Sequence, residues 1–74
     1  SLHQEFYANL KSRHPDLTKT ELKFCAYLKI NLSGNQIANI LNVTNEAIRK
    51  TRYRIRKKMD LSSDESLEHY FNRF

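Results

Sequence analysis

The chain has 74 residues, with thirteen Lys or Arg against eight Asp or Glu, for a formal net charge of +5 and a sequence pI near 9.6. A chain this short makes one small domain with a modest core. Its single cysteine, Cys25, excludes an internal disulfide, and His3, His14 and His69 stand too far apart for a zinc site.

In chain order, the sequence predicts an all-α, compact helix-turn-helix bundle of about five helices, at 2–12, 19–30, 34–41, 45–59 and 63–73. The first ends before Pro15, because the residue ahead of a proline is pushed out of the α region. The second opens on a capping box: the Thr18 hydroxyl accepts from the Glu21 N–H and the Glu21 carboxylate reaches back, with Leu17 and Leu22 as a hydrophobic staple. Ser33 and Gln36 repeat the box ahead of the third helix, with Leu32 and Ile37 as staple. Thr44 caps the fourth, with Val43 and Ile48, although Ala47 leaves the reciprocal half empty. Ser62 with Glu65 caps the fifth. Asn31 and Asn42 sit where helices stop, in positions that favour a left-handed residue.

Apolar periodicity agrees with these boundaries. The first helix offers Leu2, Phe6 and Leu10. The second is apolar most of the way round, through Leu22, Phe24, Cys25, Ala26, Leu28 and Ile30, and is expected to be central. The third offers Ile37, Ala38, Ile40 and Leu41; the fourth sets Ile48, Ile55 and Met59 on one stripe; the last shows Leu67, Tyr70, Phe71 and Phe74. That aromatic stripe either closes the core or forms a twofold interface, and helix 2–12 has the same two readings. Cys25 reads as a small core residue rather than a redox switch.

Charge is concentrated on the fourth helix. From Ala47 to Met59 there are seven basic residues and no acid: Arg49, Lys50, Arg52, Arg54, Arg56, Lys57 and Lys58. Like charges three and four residues apart repel by a few tenths of a kcal/mol per pair, a cost that a polyanion removes while releasing counterions. At about 100° per residue, Glu46, Arg49, Lys50, Tyr53, Arg54 and Lys57 project away from the Ile48–Ile55–Met59 stripe. Arg52 lies near the stripe and is expected to lay its stem on the core and pair with an acid such as Glu21. Ile37 to Ile48 spans a short helix, a three-residue turn and a longer helix, the arrangement that lets the second helix enter a major groove.

From Leu17 to Met59 the chain resembles the LuxR/FixJ-type (GerE-like) helix-turn-helix domain. The stretches that carry the resemblance are Leu17-Thr18 with Glu21, Leu32-Ser33, Ile37-Ala38 with Leu41, Val43-Thr44, Ile48-Arg49, Ile55 and Lys58-Met59. The run from Tyr53 to Lys58 is similar to the variant at the C-termini of large sensor and regulator proteins of Bacteroidetes-like bacteria. Asn31, Ala47, Thr51 and the Gly34-Asn35 pair depart from the common pattern. The resemblance implies sequence-specific binding of double-stranded DNA, transcription regulation, upstream sensor or receiver domains, and a homodimer through helix 63–73, with helix 2–12 as the other candidate. It divides the chain into an N-terminal extension helix, 1–16, and the DNA-binding domain, 17–74.

The residues expected to face bases are Glu46, Arg49, Lys50 and Tyr53. Arg49 and Lys50 would donate to guanine and Glu46 would accept from cytosine, or else merely complement the positive helix N-terminus. Asn35, Thr44, Arg54, Arg56, Lys57 and Lys58 are expected on phosphates. No catalytic constellation, metal site or cofactor motif is present, so an enzyme is not expected. A promoter-reading domain like that of a sigma factor, and a protein-interaction module that keeps this shape, are the alternatives. No apolar run approaches the roughly 20 residues that span a bilayer, no signal-peptide pattern opens the chain, and a lone thiol suits a reducing compartment. The cytoplasm is therefore the expected location. Both ends read as helix, as in a segment of a longer protein.

Overall fold

The computed structural model describes residues 2–74, with side chains from Gln4 onward. Its elements are α1 (Leu2–Arg13), α2 (Lys19–Lys29), α3 (Gly34–Leu41), α4 (Asn45–Lys58) and α5 (Leu67–Arg73), and the described residues include no strand. The apolar role expected of Leu2, and the side chain of His3, lie outside what is described.

Three of the helices start where side-chain chemistry dictates. Thr18 Oγ1 accepts from the Glu21 N–H at 3.1 Å and the Thr18 N–H donates to Glu21 Oε1 at 2.9 Å. Ser33 and Gln36 make the same reciprocal pair, and Thr44 Oγ1 accepts from the Ala47 N–H at 3.0 Å. Each satisfies an N–H that the helix itself leaves unpaired. The fifth start corrects the expected one. Ser66, not Ser62, is the N-cap, accepting from the His69 N–H at 3.0 Å, and α5 begins at Leu67 rather than residue 63. Residues 62–65 instead close a turn, Glu65 N–H to Ser62 C=O at 3.2 Å, and the Glu65 carboxylate pairs with Arg73.

Three helix ends use one device. Asn31, Asn42 and Asp60 adopt φ of 68°, 56° and 56°. Behind them the Leu32, Val43 and Leu61 N–H groups reach back to the carbonyls of Tyr27, Ala38 and Arg56 at 3.1, 3.0 and 3.1 Å. The N–H of the left-handed residue bonds one turn in, as in Asn31 to Leu28 at 2.9 Å, completing a Schellman motif. Asparagine tolerates this conformation because its short polar side chain can hydrogen-bond locally, which offsets part of the Cβ crowding. Asn42→Ala is therefore expected to destabilise the fold by about 1 kcal/mol and Asn42→Gly to be close to neutral, as measured by urea unfolding. Equal stability of the alanine variant would show that the turn between α3 and α4 tolerates another geometry.

The core runs through every helix: Phe6 and Leu10 from α1, Leu22, Phe24, Cys25 and Leu28 from α2, Ile37 and Ala38 from α3, Ile48 and Ile55 from α4, and Leu67 and Phe71 from α5. Leu17 and Met59, at the ends of loops and helices, complete it. As expected, α2 is central, packing against both α1 and α5. The sequence boundary at 16/17 is not a packing boundary, since Leu10 is fully buried in the same core. Within the chain, the aromatic stripe of α5 meets α1. Phe6 stands edge-on to Phe71 at 5.7 Å and to Phe74 at 5.5 Å, and Tyr70, Phe71 and Phe74 pack on one another. Phe71 is buried, while Tyr70 and Phe74 stay partly exposed. Three apolar side chains expected inside stay half-exposed: Ile30, Ile40 and Val43. In the expected Val43–Ile48 pair, Ile48 is buried and Val43 is only partly covered.

Two polar contacts tie the helices further. Lys29 Nζ donates to the Phe71 carbonyl at 2.8 Å, a second hydrogen bond on an acceptor that also takes the Phe74 N–H at 3.3 Å at the C-terminal end of α5. His14 Nε2 and the Tyr70 hydroxyl share a 2.7 Å hydrogen bond. Partial burial, with the charge of Arg13 beside it, holds the His14 pKa below its ordinary 6.5. No helix among the described residues is long and apolar enough to cross a membrane.

Candidate nucleic-acid interface

α4 is clamped along one side and bare along the other. Ile48, Ile55 and Met59 are buried, whereas Glu46, Arg49, Lys50, Tyr53, Arg54 and Lys57 are exposed and line one shallow groove with Lys58. The two sides follow from the helical period: residues at spacings of four and seven share the stripe that α3 and the core require.

The cations of α4 divide by what holds them. Arg49 is 76% exposed at its side chain and reaches Glu46 at 3.7 Å, a loose contact between two solvated groups. Lys57 lies over the Tyr53 ring, 5.6 Å from its centroid, and Tyr53 is itself 62% exposed. Lys50 is exposed. These four residues present charge and a flat ring to solvent.

The remaining cations are engaged by the protein. Arg52 flanks the core as expected, 5.9 Å from the Phe24 centroid, but its acid is Glu68 of α5 at 2.7 Å and not Glu21. Glu21 instead takes Arg54 Nε at 2.9 Å and Lys58 Nζ at 2.7 Å, and Lys58 also donates to the Asp16 carbonyl at 3.2 Å. The reason is reach. Arg54 and Lys58 lie one turn apart on the side of α4 that meets the start of α2, whereas Arg52 is turned toward α5. Arg56 is drawn to the loop ahead of α5, with Nη2 donating to the carbonyls of Ser62 and Ser63 at 3.3 and 2.9 Å. Its Nε is buried without a hydrogen-bond partner. These contacts hold Arg56 Nη2 against the loop.

Asn35 and Thr44, expected on phosphates, are exposed and border a second groove with Asn39, Val43 and Asn45 beside the start of α4. Asn39 and Asn45 were not singled out from the sequence, although Asn39 stands four residues after Asn35 on the same helix face. Thr51 Oγ1 donates to the Ala47 carbonyl at 2.9 Å and accepts from Arg54 Nη2 at 3.4 Å.

Glu21 is the residue whose importance the sequence understates. Its box with Thr18 was legible; its burial, at 2% exposure, was not. Burial by itself raises a carboxyl pKa, but hydrogen bonds from Lys58, the Thr18 N–H and Arg54 outweigh it and hold Glu21 down from 4.5 to about 2. The same burial, with the Glu21 charge nearby, pushes the Cys25 thiol up to about 12. Thiolate is the reactive form, so iodoacetamide at pH 8 is expected to label Cys25 only after denaturation. Rapid labelling of the folded chain would show that the core around Cys25 opens.

Comparison with models of known protein families, with curated proteins and with solved structures found no match.

Proposed function

We propose that this chain binds double-stranded DNA sequence-specifically, with α4 in the major groove, as the output domain of a larger bacterial transcription regulator acting in the cytoplasm. The observation that carries the reading is the bare face of α4. Arg49, Lys50, Tyr53 and Lys57 are exposed on one side of a helix whose other side is locked by Ile48, Ile55 and Met59. A cationic helix held rigidly by its inner stripe, with its outer side left open, matches the width of a B-DNA major groove. Arg49 and Lys50, nearest the helix start, are assigned to base edges, with Tyr53 beside them for a thymine methyl or a phosphate. Lys57 and Arg54 are assigned to phosphates, which position the helix without reading sequence. Arg56 is left out because the loop ahead of α5 holds it.

The test is selection from a random duplex pool, followed by titration of the enriched sequence and of an unrelated duplex at several salt concentrations. The chain is expected to prefer the enriched sequence and to weaken steeply with salt. Arg49→Ala and Lys50→Ala are each expected to cost about 1–3 kcal/mol on the enriched sequence with unchanged thermal unfolding. Lys57→Ala is expected to weaken both duplexes alike. No enrichment together with a shallow salt dependence would sink the reading in favour of an interaction module for an acidic protein.

A further inference from the structure

Among the described residues, Glu21 is the one charged side chain buried in the core, and both of its oxygens are occupied. Oε1 accepts from the Thr18 N–H and from Lys58 Nζ, and Oε2 accepts from Arg54 Nε at 2.9 Å. A salt bridge that only joined two helices could hide its cation. Here the arginine is 53% exposed at its side chain while its carboxylate partner is 3% exposed. The guanidinium therefore emerges from a fixed root, on the same groove as Arg49, Lys50, Tyr53 and Lys57. A second contact, Arg54 Nη2 to Thr51 Oγ1 at 3.4 Å, restrains rotation about that root. Among the described residues, the contacts of Arg54 are made through Nε and Nη2, and none through Nη1.

We propose that Glu21 is a positioning residue for DNA recognition: it holds the Arg54 fork in place as a pre-set clamp for one backbone phosphate, which fixes the register in which α4 meets the bases. The proposal rests on the reading of α4 as the DNA-contacting helix and deepens it. An arginine free in solvent loses much of its rotamer freedom when it binds, and a fork oriented beforehand loses less. Guanidinium offers phosphate two parallel N–H groups, which an ammonium does not. The negative charge of Glu21 also opposes nonspecific attraction to DNA, and its geometric effect favours one register. Specificity and raw affinity should therefore respond differently to its removal.

The experiment measures Kd for the enriched duplex and for an unrelated duplex, at fixed salt, with wild type, Glu21→Gln, Arg54→Lys and the double variant. Each is checked by circular dichroism at the binding temperature. Glu21→Gln is expected to hold or raise affinity for the unrelated duplex while lowering the ratio between the two duplexes about tenfold. Arg54→Lys, which keeps the charge on a half-exposed position and leaves the core intact, is expected to lower the ratio similarly. The double variant should be no worse than Arg54→Lys alone, because Glu21 acts through Arg54. A purely structural carboxylate would scale both affinities by the folded fraction and leave the ratio unchanged, and that result overturns the proposal. An Arg54→Lys variant that keeps the wild-type ratio also overturns it, whether or not Glu21→Gln folds. A wild-type chain with no preference between the duplexes overturns the reading of α4 itself.

Discussion

Leu10→Ala is expected to lower the free energy of unfolding by about 3 kcal/mol, and deletion of residues 1–14 to abolish cooperative folding. Leu10 is fully buried, and its helix covers Phe71 and Phe74 through Phe6. A domain of this size has only a few kcal/mol to lose, so the single truncation already consumes much of its margin. Deletion would uncover apolar surface on α2 and α5 together, with no remaining element to replace α1. Urea unfolding followed by circular dichroism checks both. A chain starting at Pro15 that unfolds with the wild-type midpoint would show that α1 is an appendage, as the division at 16/17 in the sequence suggests.

The second large effect is at Glu21. Glu21→Gln is expected to cost about 3 kcal/mol at neutral pH, because it leaves Arg54 and Lys58 beside a buried amide that cannot balance their charge. The pH dependence identifies the cause. A carboxyl whose pKa lies lower in the folded chain than in the unfolded one binds protons more readily when unfolded, so falling pH favours unfolding. The contribution of Glu21 is fully present above about pH 4.5 and is lost as the pH falls toward about 2. The stability difference between wild type and Glu21→Gln should therefore shrink across that window and stay constant between pH 5 and 8. A difference independent of pH would mean that shape, and not charge, is what glutamine fails to reproduce.

The helix starts were legible wherever the cap is local. Thr18, Ser33 and Thr44 each need only their own third neighbour, and all three were readable. Ser62 and Ser66 both carry a cap-like pattern, with Glu65 three residues after the first and His69 three after the second. The choice between them is tertiary. The left-handed turn at Asp60 carries the chain onto Leu61, Arg56 holds the carbonyls of Ser62 and Ser63, and residues 62–65 close a turn, so that the helix starts after Ser66. The same distinction explains the cations. Which side of α4 is bare follows from period alone, and Arg49, Lys50, Tyr53 and Lys57 fell where expected. Which acid meets which arginine depends on how α2 and α5 lie against α4, so Arg52 and Arg54 could not be matched to Glu68 and Glu21 in advance. Ile40 shows the limit from the apolar side: periodicity puts it on a face, but it stays half-exposed on α3.

The edge-on rings of Phe6, Phe71 and Phe74 also set how the fold responds to mechanical load. They join the first helix to the last, and both helices also pack on α2. Tension between α1 and α5 is therefore expected to load this seam and α2 together. α3 and α4, which pack on each other, are expected to feel the pull through α2.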